Sequence, residues 1–174
     1  MFKHVLPLAV MFVFVCSVAN VRAADAKMAG KDSKFIHNAA IGGQMEVDLG
    51  KLAAEKASSG DVKKFGQTMV DDHSKANEEL KSLASSKGVD LTKAMDNAMK
   101  KSESAKKKLE EKSGSDFDKA YMKDMVEDHE KDVAEFKKAQ STVKDPDLKA
   151  WVDKTLPVIE GHLKMAQDIN KKLK

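Results

Sequence analysis

One short sequence occurs almost twice in this chain. Met69-Val70-Asp71-Asp72-His73 and Met125-Val126-Glu127-Asp128-His129 differ only in Asp71 against Glu127, and Val158-Ile159-Glu160-Gly161-His162 is a looser third copy. Each copy lies in a long segment whose apolar residues recur at threes and fours, the period of a helix buried on one side. Each puts its histidine on that apolar stripe, where a polar ring needs a partner. Helices patterned in this way must pack together, in an arrangement that brings the three rings within reach of one another.

Five segments carry the helical period. The first starts at a Ser33 cap and runs to about Ser58, with the stripe Phe35, Ala39, Gly42, Glu46, Leu49, Ala53. Glu46 is the one charged residue on it. Gly42, Gly43 and Gly50 weaken this helix, by about 1 kcal/mol each relative to Ala, and admit a neighbour close to Glu46. After the turn at Ser58-Ser59-Gly60 a second segment runs from about Asp61 to Ser86. So short a link makes the two antiparallel neighbours. A lesser segment follows a Thr92 cap and runs to about Lys112, with a thin stripe and many lysines. It lacks the bulky apolar residues of a membrane-surface helix and reads as a solvated connecting helix. The fourth segment follows a Ser115 cap and runs to about Val143. Asp145-Pro146 opens the fifth, with Asp as cap, Pro at the first helical position, and a kink expected at Pro157.

The expected fold is all-α: a four-helix bundle with an additional crossover helix between the second and third long helices, which is the ferritin-like way of connecting four helices. Simple up-down-up-down with the extra helix laid outside is the alternative. Abundant Ala, Lys, Leu and Glu with few aromatics favour helix throughout.

The first 23 residues read as a secretory leader. Lys3 and His4 precede an apolar run from Val5 to Ala19, and Val21-Arg22-Ala23 fits a small-residue cleavage site, leaving Ala24 first. A lipoprotein leader using Cys16 is the rival, with Val15 standing where a small residue is expected. Residues 24–32 read as a flexible segment and 33–174 as one domain. The expected setting is periplasmic or secreted, with envelope association possible and no transmembrane segment in the mature chain. Cys16 is the sole cysteine, so packing rather than a disulfide must hold the exported domain. Without Lys3 and Arg22 the 31 basic side chains fall to 29, against 28 acidic ones. A near-neutral surface of mixed sign is a poor nucleic-acid binder.

Counting residues places the polar groups at one depth. Glu46 lies 14 residues before Gly60 and His73 lies 13 after it; His129 lies 17 before Pro146 and His162 lies 16 after it. Each residue adds about 1.5 Å of rise, so one interior layer can hold Glu46, His73, His129 and His162. Three imidazoles and a carboxylate suit one transition-metal ion: copper, iron, zinc or manganese. Met69 and Met125 each precede a histidine by four on its face and Met165 follows one by three. Three thioethers on one side of the layer would tilt the choice towards copper. Asp72 and Asp128 sit about 100° round the helix from their histidines, and are expected to orient a neighbouring ring or pair with a lysine. The competing readings are that the histidines are satisfied core residues, that the methionines only fill the core, and that Glu46 forms a buried ion pair with a histidine.

No Gly-rich phosphate loop, Gly-x-Ser-x-Gly elbow or mature cysteine nucleophile is present, so no catalytic role is assigned; a metal-dependent oxidase is the enzymatic alternative. A non-catalytic envelope or stress-associated interaction protein, with a metal-free polar core, is the alternative of another class.

The runs Gly43-Gln44-Met45-Glu46-Val47, Gly50-Lys51-Leu52-Ala53 and Met69 to Asn77, with Phe117 to Tyr121 and Leu156-Pro157 further on, resemble a bacterial family of exported domains of unknown function. Its members are often labelled predicted outer-membrane proteins and placed among ferritin-like folds. The resemblance covers nearly all of 33–171 and implies a ferritin-like bundle and an exported setting. It implies no catalytic residue. The residues show no barrel strands to match the outer-membrane label. Ferritin-like di-iron proteins use Glu-x-x-His on two helices, whereas Val70 and Ile159 stand three before His73 and His162. A di-iron centre is therefore not expected.

Overall fold

The turns set the helix directions. Asp118 is fully buried and its carboxylate accepts from the backbone N–H of Ser58 and Ser59, at 2.9 and 2.7 Å, and from the Ser58 hydroxyl. Asp32, equally buried, accepts from the N–H of Lys144 and Asp145 at 3.0 and 2.9 Å. Each carboxylate satisfies the donors of a turn that lies far from it in sequence, which ties one hairpin to the other at both ends.

The computed structural model describes Met28 and residues 30–173. The leader read in residues 1–23 lies outside the described residues. Among these residues the chain is all-helical: α1 Gly30–Lys56, α2 Gly60–Ser86, α3 Thr92–Glu110, α4 Gly114–Thr142 and α5 Pro146–Lys172. None of these helices is long and apolar enough to cross a membrane.

α1 and α2 form one antiparallel hairpin and α4 and α5 the other, with α2 against α5 and α1 against α4. α3 lies along α1. Its start is tied there by His37 Nε2, which donates to the Asp90 carbonyl at 2.8 Å, and its end approaches Lys56, whose Nζ is 3.5 Å from the Glu110 carbonyl. α3 is therefore parallel to α1. Small buried residues at one-turn spacing, Ala94, Ala98 and Ser102, let it sit close. Lys172 reaches Asp61 at 3.1 Å and Lys87 reaches Asp145 at 2.8 Å, so α5 is antiparallel to α2.

Several local expectations shift. α1 begins at Gly30, so residues 30–32 belong to the helix rather than to a flexible segment. Ser33 is not its cap, because it lies within the first turns of the helix; Asp32 beside it serves the α4–α5 turn. Leu91 rather than Thr92 precedes α3, and Asp90 does the capping, accepting from Thr92 N and Oγ1 at 2.8 and 2.7 Å. Ser113 rather than Ser115 precedes α4. Asp145 caps α5 as read, accepting from Asp147 and Leu148 N. α5 runs through Pro157 without interruption, with that ring on the exposed side.

The apolar core falls into two halves. One gathers Phe35, Ile36, Leu80, Phe136, Leu148 and Trp151; the other gathers Leu49, Phe65, Met69, Leu109, Phe117, Tyr121 and Met125. On α1, α2, α4 and α5 the residues between the halves include Glu46, His73, His129 and His162, all buried. A polar layer therefore crosses the interior.

Candidate metal centre

His73 comes from α2, His129 from α4 and His162 from α5. Their ring centroids are 5.3 to 5.9 Å apart, and one nitrogen from each ring lies within 4.8 Å of the other two. Hydrogen bonds decide which nitrogen that can be. His129 Nδ1 is 2.9 Å from the Met125 carbonyl one turn back. A carbonyl only accepts, so Nδ1 carries the proton and Nε2 keeps its lone pair. His162 Nε2 is 2.9 Å from Oδ2 of Asp72, so it donates to the carboxylate and leaves Nδ1 with the lone pair. The nitrogens left over, His129 Nε2 and His162 Nδ1, are buried without a hydrogen-bond partner, as is His73 Nε2.

The rings are neutral at ordinary pH. Burial, with the neighbouring His162 and His129 rings, lowers His73 to about 3. Burial and His162 lower His129 to about 4, with the Met125 carbonyl partly opposing. His162 is lowered by burial and held up in part by Asp72. Neutral imidazoles are the form that binds metal.

Glu46 is buried beside the group but not within it. Its Oε1 lies 3.8 Å from His129 Nδ1, the nitrogen already facing Met125, and the trio with converging nitrogens does not include it. Burial raises its carboxyl well above the ordinary range, helped by Asp132 and Asp128. Burial pushes both Glu46 and His129 towards their neutral forms, which disfavours the buried ion pair read as an alternative.

The flanking residues separate. Met69 and Met125 are fully buried, in the core half next to the layer. Met165 is 40% exposed. The α5 stripe passes from His162 to Ala166, four residues on, and Met165 falls on the solvent side, so only two thioethers flank the layer. Asp72 orients the neighbouring His162 ring, and Asp128 pairs with Lys131 at 3.0 Å. His37 and Glu160 are at the surface, Glu160 bonded to Lys137 at 2.8 Å.

Sequence reading missed Asp132, which lies three residues after His129 and so near its face. With Glu46, Asp128 and Glu135 it lines a cleft of about 350 Å³ between α1 and α4. Burial, then the Asp128 and Glu135 charges, raise Asp132 to about 7. Its signal was a carboxylate at helical spacing from a stripe residue. Asp118 offered the same signal seven residues before Met125.

No curated protein and no solved structure matches the chain. A family pattern matches residues 17–169, nearly the whole sequence. The chain belongs to the family described as Domain of unknown function (DUF4142).

Proposed function

We propose that this protein binds one transition-metal ion through His73, His129 and His162. The observation that carries the reading is three buried imidazoles that each offer a nitrogen within 4.8 Å of the others, each ring also having a buried nitrogen without a hydrogen-bond partner. On His129 and His162 these are lone pairs, so the two rings cannot hydrogen-bond to each other through them. His73 has one proton to offer and can serve only one of them. A cation satisfies all three at once. Asp72 completes a carboxylate–histidine–metal arrangement that holds the His162 tautomer and ring direction.

Three imidazoles with a fourth position open suit zinc or copper, with iron and manganese as further candidates. Glu46, on the far side of His129, supports the layer rather than coordinating. The ferritin-like arrangement is part of the proposal: two antiparallel hairpins joined by α3, with the polar layer at mid-height, support it. Export is part of it too, resting on the leader read in residues 1–23; a mature chain beginning at Ala24 is its test.

The metal-free polar core remains the competing reading, and calorimetry separates the two. Cu(I), Cu(II), Zn(II), Fe(II) and Mn(II) are titrated into the chelator-treated protein, beside His129→Ala and Glu46→Ala. Stoichiometric binding of one metal, lost in His129→Ala and retained in Glu46→Ala, is expected. No binding of any of the five by the wild type leaves the metal-free core standing.

A further inference from the structure

The cleft between α1 and α4 is distinct from the imidazole group. Glu46, Asp128, Asp132 and Glu135 supply four carboxylates to it, against Lys101 and Lys131. Two of the four are engaged: Asp128 accepts from Lys131 at 3.0 Å, and Glu135 accepts from the Asn38 amide at 3.0 Å. Asp132 has no ion-pair partner among the described residues. Its Oδ1 lies over the α1 backbone, 4.0 Å from where a Cβ on Gly42 would sit. Glu46 forms the inner wall one turn further along. Only 4% of it is exposed, and its Oε2 is buried with no hydrogen-bond partner.

A carboxylate buried against an apolar layer, with an oxygen left unpaired beside a cleft, is costly unless something in that cleft meets it. The cleft offers oxygen ligands only, in contrast to the nitrogen ligands of the histidine layer. We propose that this cleft binds a hard divalent cation of the magnesium, manganese or calcium class between Glu46 and Asp132. The carboxylates do not converge as the imidazoles do, since among the described residues no three acidic groups meet the spacing that the histidines meet. The cation therefore keeps part of its water shell, as small divalent ions do at sites with few protein ligands. A volume of about 350 Å³ accommodates it, because a water takes about 30 Å³. Asp128 and Glu135 contribute at longer range and through water. The two sites differ in chemistry, since hard ions prefer the carboxylates and borderline ions the imidazoles.

Manganese(II) is the probe, because water-proton relaxation reports its binding and its remaining hydration together. The titration uses the whole protein, its His73→Ala/His162→Ala variant, Asp132→Asn and Glu46→Gln. Melting curves confirm that each variant folds. Binding is expected in the wild type and the double histidine variant alike, with magnesium and calcium displacing the manganese. Asp132→Asn and Glu46→Gln should each weaken it by roughly tenfold or more, as loss of a charged oxygen ligand requires. Asp132→Asn is the decisive variant, since an isosteric change at a partly buried cleft residue leaves the apolar core intact. Manganese binding that vanishes in the double histidine variant and persists in Asp132→Asn overturns the proposal and assigns the ion to the histidine layer. Absence of binding by the wild type at millimolar manganese overturns it as well.

Discussion

At the scale of single residues, the centre depends on groups that hold protons in place. His129 and His162 each spend one nitrogen on an acceptor, Met125 O or Asp72 Oδ2, and that choice leaves the other as a lone pair. Asp72 is itself half-exposed, so its value lies in orientation more than in burial. Asp72→Asn still offers an oxygen but removes the charge, and Asp72→Ala leaves the His162 ring unanchored. Loss of such a supporting carboxylate lowers metal affinity by about 10- to 100-fold. Asp72→Ala is expected to fall in that range with a melting temperature close to wild type. An unchanged metal affinity in that variant would remove Asp72 from the site.

The spacing of the histidines was legible at this scale, because rise per residue is constant along a helix. The fate of Met165 was not. Offsets of three and four both continue a helical stripe, and the neighbouring helices decide which offset faces inward. The Asp32 and Asp118 clamps were out of reach for a related reason. Their partners lie 112 and 60 residues away, and no local pattern connects a carboxylate to a distant turn.

At the scale of the elements, α1 is the most constrained. It packs against α2, α3 and α4, so it buries Ile36, Ala40 and Val47 as well as Phe35, Glu46, Leu49 and Ala53 of the stripe visible in its sequence, while Ala39 and Gly42 are only partly buried. Its glycines are not equivalent. A Cβ on Gly50 would lie 2.7 Å from the Gly66 carbonyl and 3.1 Å from Met69 Cβ, and one on Gly66 would lie 2.7 Å from the Gly50 carbonyl. Those contacts are largely with backbone, which cannot turn aside. At Gly43 the added atom would meet only the end of the Asn77 side chain. Gly50→Ala should therefore destabilise the protein by about 1–3 kcal/mol, despite the better helix propensity of Ala. Gly43→Ala should lie within about 1 kcal/mol of wild type, because Asn77 can rotate away and helix propensity favours Ala. Urea unfolding of the two variants checks the contrast, and equal losses would contradict the close-approach argument.

At the scale of the whole molecule, the polar layer makes stability depend on pH. In the unfolded chain His73 and His129 take up protons below about 6.5; in the folded protein they resist until about 3 and about 4. Between those limits the unfolded state binds more protons, so these rings destabilise the fold as pH falls, by up to about 1.4 kcal/mol per pH unit each. Asp132 acts in the opposite sense. Its folded value of about 7 lies above the ordinary 3.8, under the influence of burial, Asp128 and Glu135, with Lys131 opposing. The folded protein must pay to ionise it, and that cost grows from about pH 4 and is complete above about pH 7. Glu46, raised by burial, Asp132 and Asp128, shifts in the same direction. Replacing Asp132 by Asn removes its ionisation cost. Relative to wild type, Asp132→Asn should therefore gain stability between about pH 4 and 7 and level off above, and the gain should fade below pH 4. Denaturant unfolding of both proteins across that range tests the sign, and a difference independent of pH would rule it out.

By itself the sequence determined that the chain is helical, roughly where each helix begins and ends, and that polar residues interrupt the apolar stripes at matching depths. Those properties follow from periodicity, turn chemistry and rise per residue, all of them local. Only the tertiary structure decided which ring nitrogens are left without partners, that Glu46 belongs to a cleft wall rather than to the imidazole group, and that α3 lies along α1. Those properties depend on which faces meet and which donors lie across the interface, and the pairing of helices far apart in the chain sets both.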